Sequence, residues 1–256
     1  MNHLQPIAPP SRASLFVTCL ADALLHPVAR AARQVLRAQG VTVDLPPDQV
    51  CCGNALHKTG RTGAAARVGA AWVRAFAQSG DIVSPSGSCV AHLRHNLSEL
   101  LTSRPEMAHL APQAEALVRR TYELTEYLHQ RLGLTRLAGA RAPSRPWVYH
   151  PSCGLHRALG QDQAPYALLD ALPGRPRLEL PRAERCCGFG GPFSVSHHEL
   201  SGALLGDKLA AAAEAGAQVL VVGDVGCLLH LAAGARARKL GIEVVHITQL
   251  LAGEVA

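Results

Sequence analysis

Eight cysteines in this chain fall into two sets of four with the same arrangement. Each set has a single cysteine, then a Cys-Cys-Gly triplet, then a second single cysteine, at nearly equal spacings. The sets are Cys19, Cys51, Cys52 and Cys89, followed by Cys153, Cys186, Cys187 and Cys227. No cysteine is left over. Such a register indicates an internal duplication, and we divide the chain into a first half, 1–140, and a second half, 141–256.

Short apolar segments alternate with longer amphipathic ones along both halves. The former predict strands at 14–19, 41–45, 81–84, 147–150, 177–180, 218–223 and 243–247. The latter predict helices at 25–39, 61–79, 88–101, 111–132, 163–172, 198–215 and 227–239. This alternation predicts an α/β fold of two pseudo-symmetric βαβ halves, each a small parallel sheet flanked by helices. The segment 134–146, with three glycine or proline residues, is the predicted connection.

In each half the first and last cysteines stand between a predicted strand and a predicted helix. The carboxyl edge of a parallel sheet is where α/β proteins gather their binding sites. Helix N-termini at that edge favour negative charge, such as that of a metal cluster bound by thiolates. We therefore expect the four cysteines of each half to converge at this edge.

Composition limits the compartment and the partners. The chain has 256 residues, 48% of them apolar, and a net charge of +6 that is nearly all arginine, with lysine only at Lys58, Lys208 and Lys239. The arginines are scattered, without a nucleic-acid-binding module, so no nucleic-acid partner is expected. The segment 1–14 is polar and proline-rich and does not resemble a secretory signal. No apolar run is long enough for a membrane span, and we expect a cytoplasmic protein.

Metal binding is the first explanation for eight cysteines in a reducing compartment, where disulfides are rare. Four thiols suit one iron–sulfur cluster or one structural zinc ion. Adjacent cysteines are awkward for a single tetrahedral ion, whereas a cluster offers several iron corners. The pattern thus favours iron–sulfur clusters, up to two [4Fe–4S], bound by all eight cysteines. Zinc, catalytic dithiol chemistry and disulfides remain open alternatives.

Other residue types carry weaker signals. Four histidines lie near cysteines in sequence: His57, His92, His150 and His156. Any of them could tune a cluster or move protons, and His150 is the candidate for a catalytic base. The glycine-rich run 187–191 lacks a dinucleotide fingerprint and instead indicates close backbone approach to a cluster. Four glutamates are interpreted as solvated helix residues without a role in acid–base chemistry: Glu99, Glu115, Glu123 and Glu126.

Four longer motifs carry a family resemblance. They are residues 15–19 (LFVTC), 84–89 (SPSGSC), 120–126 (RTYELTE) and 186–195 (CCGFGGPFSV). The repeated Cys-Cys-Gly pattern resembles the cysteine-rich (CCG) domain of heterodisulfide reductase and of the iron–sulfur subunits of glycolate oxidase and anaerobic glycerol-3-phosphate dehydrogenase. The longer motifs are most similar to the lactate utilisation protein A family, over essentially residues 15–253.

The resemblance implies an iron–sulfur electron-transfer subunit of a complex that oxidises L-lactate, or another small 2-hydroxy acid, to the 2-oxo acid. Its implied partners are a ferredoxin-like iron–sulfur subunit and a third small subunit. Two rival functions stay open beside it: a thiol or heterodisulfide redox enzyme, as in the heterodisulfide reductase relative, and a zinc-bearing structural subunit.

The chain departs from heterodisulfide reductase at two matched positions. In that relative each half ends in C-x-x-C and carries a non-cubane cluster. Here Ser86 and Asp224 stand in place of the first cysteine of that motif. The departure favours an ordinary cubane cluster, or a variant in which a serine or aspartate oxygen is a weak ligand.

Overall fold

The computed structural model describes residues 12–255. The predicted absence of a secretory signal in residues 1–14 therefore falls almost wholly outside the described residues. Seven strands form, named β1 to β7: Arg12–Leu15, Thr42–Asp44, Asp81–Ser84, Thr121–Glu123, Trp147–His150, Val219–Val222 and Glu243–His246. All strand pairs are parallel, in a four-stranded sheet of order β2-β1-β3-β4 and a three-stranded sheet of order β5-β6-β7. The predicted fold class is confirmed.

Helices connect the strands in each half. In the first half, α1 to α7 are Cys19–Ala23, His26–Ala38, Asn54–Lys58, Thr62–Ala75, Gly87–Thr102, Ala111–Val118 and Leu124–Glu126. In the second half, α8 to α12 are Gln163–Asp170, Phe193–Ser196, His198–Glu214, Val225–Ala237 and Ile247–Leu251. Short π-helical turns cover Tyr127–Arg131 and Gly154–Ala158, and a 3-10 turn covers Ala108–Leu110. Over residues 12–255, no helix combines the length and the apolar character of a membrane span.

The predicted helix over 111–132 is wrong in its middle. Residues Thr121–Glu123 form strand β4, which pairs with β3 in the register Ile82 to Thr121. Thr121 and Tyr122 have side chains that favour extended structure, and the edge of β3 supplies the hydrogen bonds. Helical patterns on both sides concealed this strand in the sequence.

The predicted strand over 177–180 is also wrong. Only an isolated bridge between Val148 and Leu178 forms there, through a hydrogen bond of 2.8 Å from the Leu178 N–H to the Trp147 carbonyl. Pro176 and Pro181 flank the segment and donate no hydrogen bond. A full ladder cannot extend past them, so the second sheet has one strand fewer than the first.

The two sheets share a hydrophobic core. Leu15 and Val83 of the first sheet lie in the same buried cluster as Trp147, Val219 and Val221 of the second. Helices of both halves complete this cluster with Val35, Leu36, Leu168 and Leu250. The opposite faces of the two sheets pack against separate sets of helices. The halves therefore bury apolar surface against each other and meet along an extensive interface.

Candidate metal centres

The cysteines of the first half lie at the carboxyl ends of two adjacent parallel strands. Cys19 begins α1, shortly after β1, and Cys89 lies in the first turn of α5, after β3. β1 and β3 are hydrogen-bonded neighbours, so these two loops emerge side by side. Cys51 and Cys52 approach from the loop between β2 and α3. Three loops thus bring four thiols to one edge of the sheet.

The second half repeats this arrangement. Cys153 follows β5, Cys227 lies in the first turn of α11 after β6, and β5 and β6 are adjacent. The burial repeats as well: Cys52 and Cys187 are 4% and 3% exposed, and Cys89 and Cys227 are both 8% exposed. The remaining four cysteines are more accessible, and Cys19 is the most open of them.

A glycine after each Cys-Cys pair turns the chain back toward the thiols. Gly53 and Gly188 have φ of 88° and 91°, a left-handed conformation that other residues rarely adopt. Their backbone N–H groups donate to the sulfurs of Cys51 at 3.4 Å and Cys186 at 3.3 Å. The same N–H···S contact therefore exists in both halves and would stabilise a thiolate.

The four thiols of each half contact one another in a chain. In the first half Cys51 interacts with Cys19 and Cys52, and these hydrogen bonds lower the pKa of Cys51. The second half has the same relation around Cys186, and its Cys187 and Cys227 sulfurs are 3.2 Å apart. Hydrogen bonding to the central thiol, together with burial, raises the pKa of the neighbours Cys19, Cys52, Cys153 and Cys187. The four thiols of each half can thus all lose their protons only when a cation compensates their negative charge.

The spacing of the sulfurs is wider than a single tetrahedral ion requires. A tetrahedral zinc ion with bonds of about 2.3 Å requires sulfurs about 4 Å apart. Within residues 12–255, one group of three ligating side chains has all its ligand atoms within 4.8 Å of one another, and it is His150, Cys187 and Cys227. In neither half do three of the four sulfurs lie this close to one another, so the thiols of both halves are spread more widely than one zinc ion requires.

His150 lies at the second centre, on the last residue of β5. Its side chain is fully buried, and burial lowers its pKa to about 3. Neither ring nitrogen has a hydrogen-bond partner among the described residues. The role of His150 as a catalytic base stays a prediction. Its buried ring lies beside Cys187 and Cys227 and does not line an open cleft.

The other histidines divide between the two centres and the surface. His92 is buried beside the first centre, near His57, with the ring centroids 5.3 Å apart. Burial lowers the pKa of His92 to about 4. His156 is half-buried and pairs with Asp162. His230 occupies the position in α11 that matches His92 in α5, three residues after the last cysteine. This matched spacing is the signal in the sequence that could have identified His230.

Ser86 and Asp224 contact each other across the two halves. The Asp224 carboxylate accepts hydrogen bonds from the Ser86 hydroxyl at 3.1 Å and from the Ser88 N–H at 2.9 Å. Its other oxygen caps α11 by accepting from the Gly226 N–H at 2.9 Å. Both side chains are buried. These oxygens are engaged with each other and with two helix N-termini, which argues against the hypothesis that they are cluster ligands.

Three further buried ionisable side chains were not anticipated. The Lys208 ammonium donates to the carbonyls of Arg182 and Ala183, both at 2.9 Å, and so fixes the loop that leads to Cys186. Its only sequence signal is that it is a lysine in an arginine-rich chain. The solvated assignment of Glu123 and Glu126 is wrong: they are 0% and 4% exposed and form a capping box for α7. Arg94 pairs with Glu126 at 2.9 Å.

Comparison with known proteins agrees with this duplicated site. The family model for the cysteine-rich domain (CCG) matches the chain twice, at residues 13–94 and 147–232. Each match contains one complete set of four cysteines.

Relatives that align over nearly their whole length identify the family more specifically than the domain match does. Lactate utilization protein A of Macrococcus caseolyticus is 36% identical over 95% of this chain and 97% of the relative. The protein of the same name from Geobacillus kaustophilus is 38% identical over 94% of this chain and 98% of its own length. Lactate utilization protein A of Halalkalibacterium halodurans is 36% identical over 94% of this chain and 96% of the relative. The chain therefore belongs to the lactate utilization protein A family of cysteine-rich domain proteins.

Proposed function

We propose that this chain is an iron–sulfur electron-transfer subunit of a complex that oxidises L-lactate to pyruvate. The observation that carries the proposal is the repeated set of four contacting thiols at the carboxyl edge of each sheet. The first centre would be bound by Cys19, Cys51, Cys52 and Cys89, and the second by Cys153, Cys186, Cys187 and Cys227. The names of the full-length relatives support the role in lactate utilisation.

An iron–sulfur cluster at each centre would accept and release one electron at a time. Oxidation of lactate to pyruvate breaks the C–H and O–H bonds at carbon 2, forms the carbonyl, and releases two electrons and two protons. Two one-electron centres match that number. The electrons would pass on to a ferredoxin-like iron–sulfur subunit, with a third small subunit completing the complex.

The chain's own groups prepare each centre. The Gly53 and Gly188 N–H groups stabilise thiolate charge, and the Asp224 contact fixes the helices that carry Cys89 and Cys227. Burial of Cys52 and Cys187 excludes water from one side. Cys19 and its neighbours leave the other side of the first centre accessible to an electron partner.

The test is metal analysis of protein purified without oxygen. We expect about eight irons and eight sulfides per chain, four of each per set of cysteines, with an EPR signal that changes on dithionite reduction. Cys52→Ala and Cys187→Ala form a matched pair, and each should halve both contents. Stoichiometric zinc without iron would contradict the proposal and favour a structural subunit.

A second candidate function is thiol or heterodisulfide redox chemistry. It is favoured by the lowered pKa of Cys51 and Cys186, because the thiolate is the reactive form of cysteine. In that case two thiols would reduce a disulfide substrate and become a disulfide themselves. Iron-free protein with eight free thiols, and rapid alkylation of Cys51 and Cys186, would identify this function.

A further inference from the structure

The two centres differ at one matched position beneath the cysteines. Counted back from the first cysteine of each half, Phe16 and His150 occupy the same place. Both side chains are fully buried. Phe16 packs edge-on against Trp72 and Phe76, with ring centroids 5.9 and 5.5 Å apart. The first half thus has an apolar ring where the second half has an imidazole.

The imidazole of His150 is directed at the thiols of the second centre. One of its nitrogens and the sulfurs of Cys187 and Cys227 lie within 4.8 Å of one another. Both ring nitrogens lack a hydrogen-bond partner within residues 12–255. The Ala183 carbonyl lies near the ring and accepts from Lys208 at 2.9 Å. A buried polar group without a partner costs about 1–3 kcal/mol, and the thiolates of Cys187 and Cys227 are close enough to supply one.

We propose that the His150 imidazole donates an N–H···S hydrogen bond to the cysteine thiolates of the second centre and thereby makes the two centres unequal. This inference rests on the proposed iron–sulfur function. A hydrogen bond to a cluster thiolate withdraws electron density and raises the reduction potential. The backbone N–H contacts of Gly53 and Gly188 are alike in the two halves, so they do not create this difference. Electrons therefore favour the second centre over the first.

The test isolates the second centre and measures its reduction potential. In the Cys52→Ala background only the second centre should be loaded, and EPR during a redox titration reports its midpoint potential. His150→Phe, which copies the first half, should shift that potential downward. His150→Gln, whose amide still offers an N–H donor, should shift it less. Iron content is measured for every variant.

Each outcome decides the question. An unchanged midpoint potential in His150→Phe, with full iron at the second centre, would overturn the inference while leaving the iron–sulfur function intact. Loss of second-centre iron in both His150 variants would also overturn it, because His150 would then be a metal ligand rather than a hydrogen-bond donor. Absence of iron in the unsubstituted protein would overturn the proposed function and this inference together.

Discussion

The Asp224 carboxylate of the second half accepts a hydrogen bond from the backbone N–H of Ser88 in the first half, at 2.9 Å. The same carboxylate caps its own helix α11 through Gly226. One buried side chain therefore satisfies N-terminal N–H groups of two helices, and each of those helices carries a cysteine in its first turn. The contact ties the positions of Cys89 and Cys227 to each other.

Replacement of Asp224 by alanine should destabilise the protein by about 2–4 kcal/mol, because three donors lose their buried acceptor. The measurement is denaturant unfolding of the metal-loaded protein. Ser86→Ala is the matched control: it removes a single hydrogen bond of the same group and should cost about 1 kcal/mol. Equal effects of the two variants would show that Asp224 does not cap both helices.

The glycines after the two Cys-Cys pairs should respond differently to alanine. Both have positive φ, which costs an alanine about 1–2 kcal/mol. A Cβ at Gly188 would also lie 2.5 Å from the Ser201 carbonyl oxygen, whereas at Gly53 the nearest atom, the Ala65 carbonyl oxygen, is 3.3 Å away. Gly188→Ala should therefore lower the melting temperature and second-centre iron more than Gly53→Ala lowers the melting temperature and first-centre iron. The reverse order would contradict this backbone geometry.

Lys208 should be required for retention of metal at the second centre. Lys208→Met removes both donors that hold the Arg182 and Ala183 carbonyls, so the loop before Cys186 should loosen. Iron remaining after challenge with a chelator should fall at the second centre and not at the first. Lys239→Met, at an exposed position, provides the control. Equal iron retention in the two lysine variants would exclude this anchoring role.

Glu123 should make the stability depend on pH. Burial raises its pKa to about 7 from 4.5, so the folded protein holds a proton on this carboxyl that the unfolded chain releases. The stabilisation is complete below about pH 4.5 and is lost as pH rises through 7, a change on the order of 3 kcal/mol. Glu123→Gln should remove this loss, because its amide oxygen can still accept from the Thr125 N–H.

The measurement is the difference in unfolding free energy between wild-type protein and Glu123→Gln at several pH values. We expect the unfolding free energy of Glu123→Gln to rise relative to that of the wild-type protein as pH rises from 5 to 8. Glu126 and Arg94 pair beside this site and are present in both proteins, so their contribution cancels. A constant difference across that range would show that Glu123 titrates normally.

Much of the architecture could be predicted because it follows from local patterns. The duplicated cysteines and the alternating apolar segments predict two parallel sheets with thiols at their carboxyl edges, and the strands Asp81–Ser84 and Trp147–His150 have the predicted bounds. Division into halves at residue 140 stays a prediction.

The failures arise where tertiary contacts outweigh local patterns. Strand β4 forms because it pairs with the free edge of β3. The residues around β4 in the sequence do not indicate that this edge is available. Glu123 looks like a surface residue until the shared core forms around it, and its carboxylate then caps α7. The hydrogen bond between Ser86 and Asp224 joins residues that are far apart in the sequence. The proximity of His150 to two cysteines likewise depends on how the loops converge.

The shared core between the sheets also has a consequence for any shortened form of the chain. Val83 of one repeat and Val221 of the other are buried in the same apolar cluster. Deleting either repeat would expose the face that the other had covered, leaving an unstable, aggregation-prone fragment. The two repeats therefore form one folding unit around this cluster. Matched positions can still differ between the repeats, as Phe16 and His150 do.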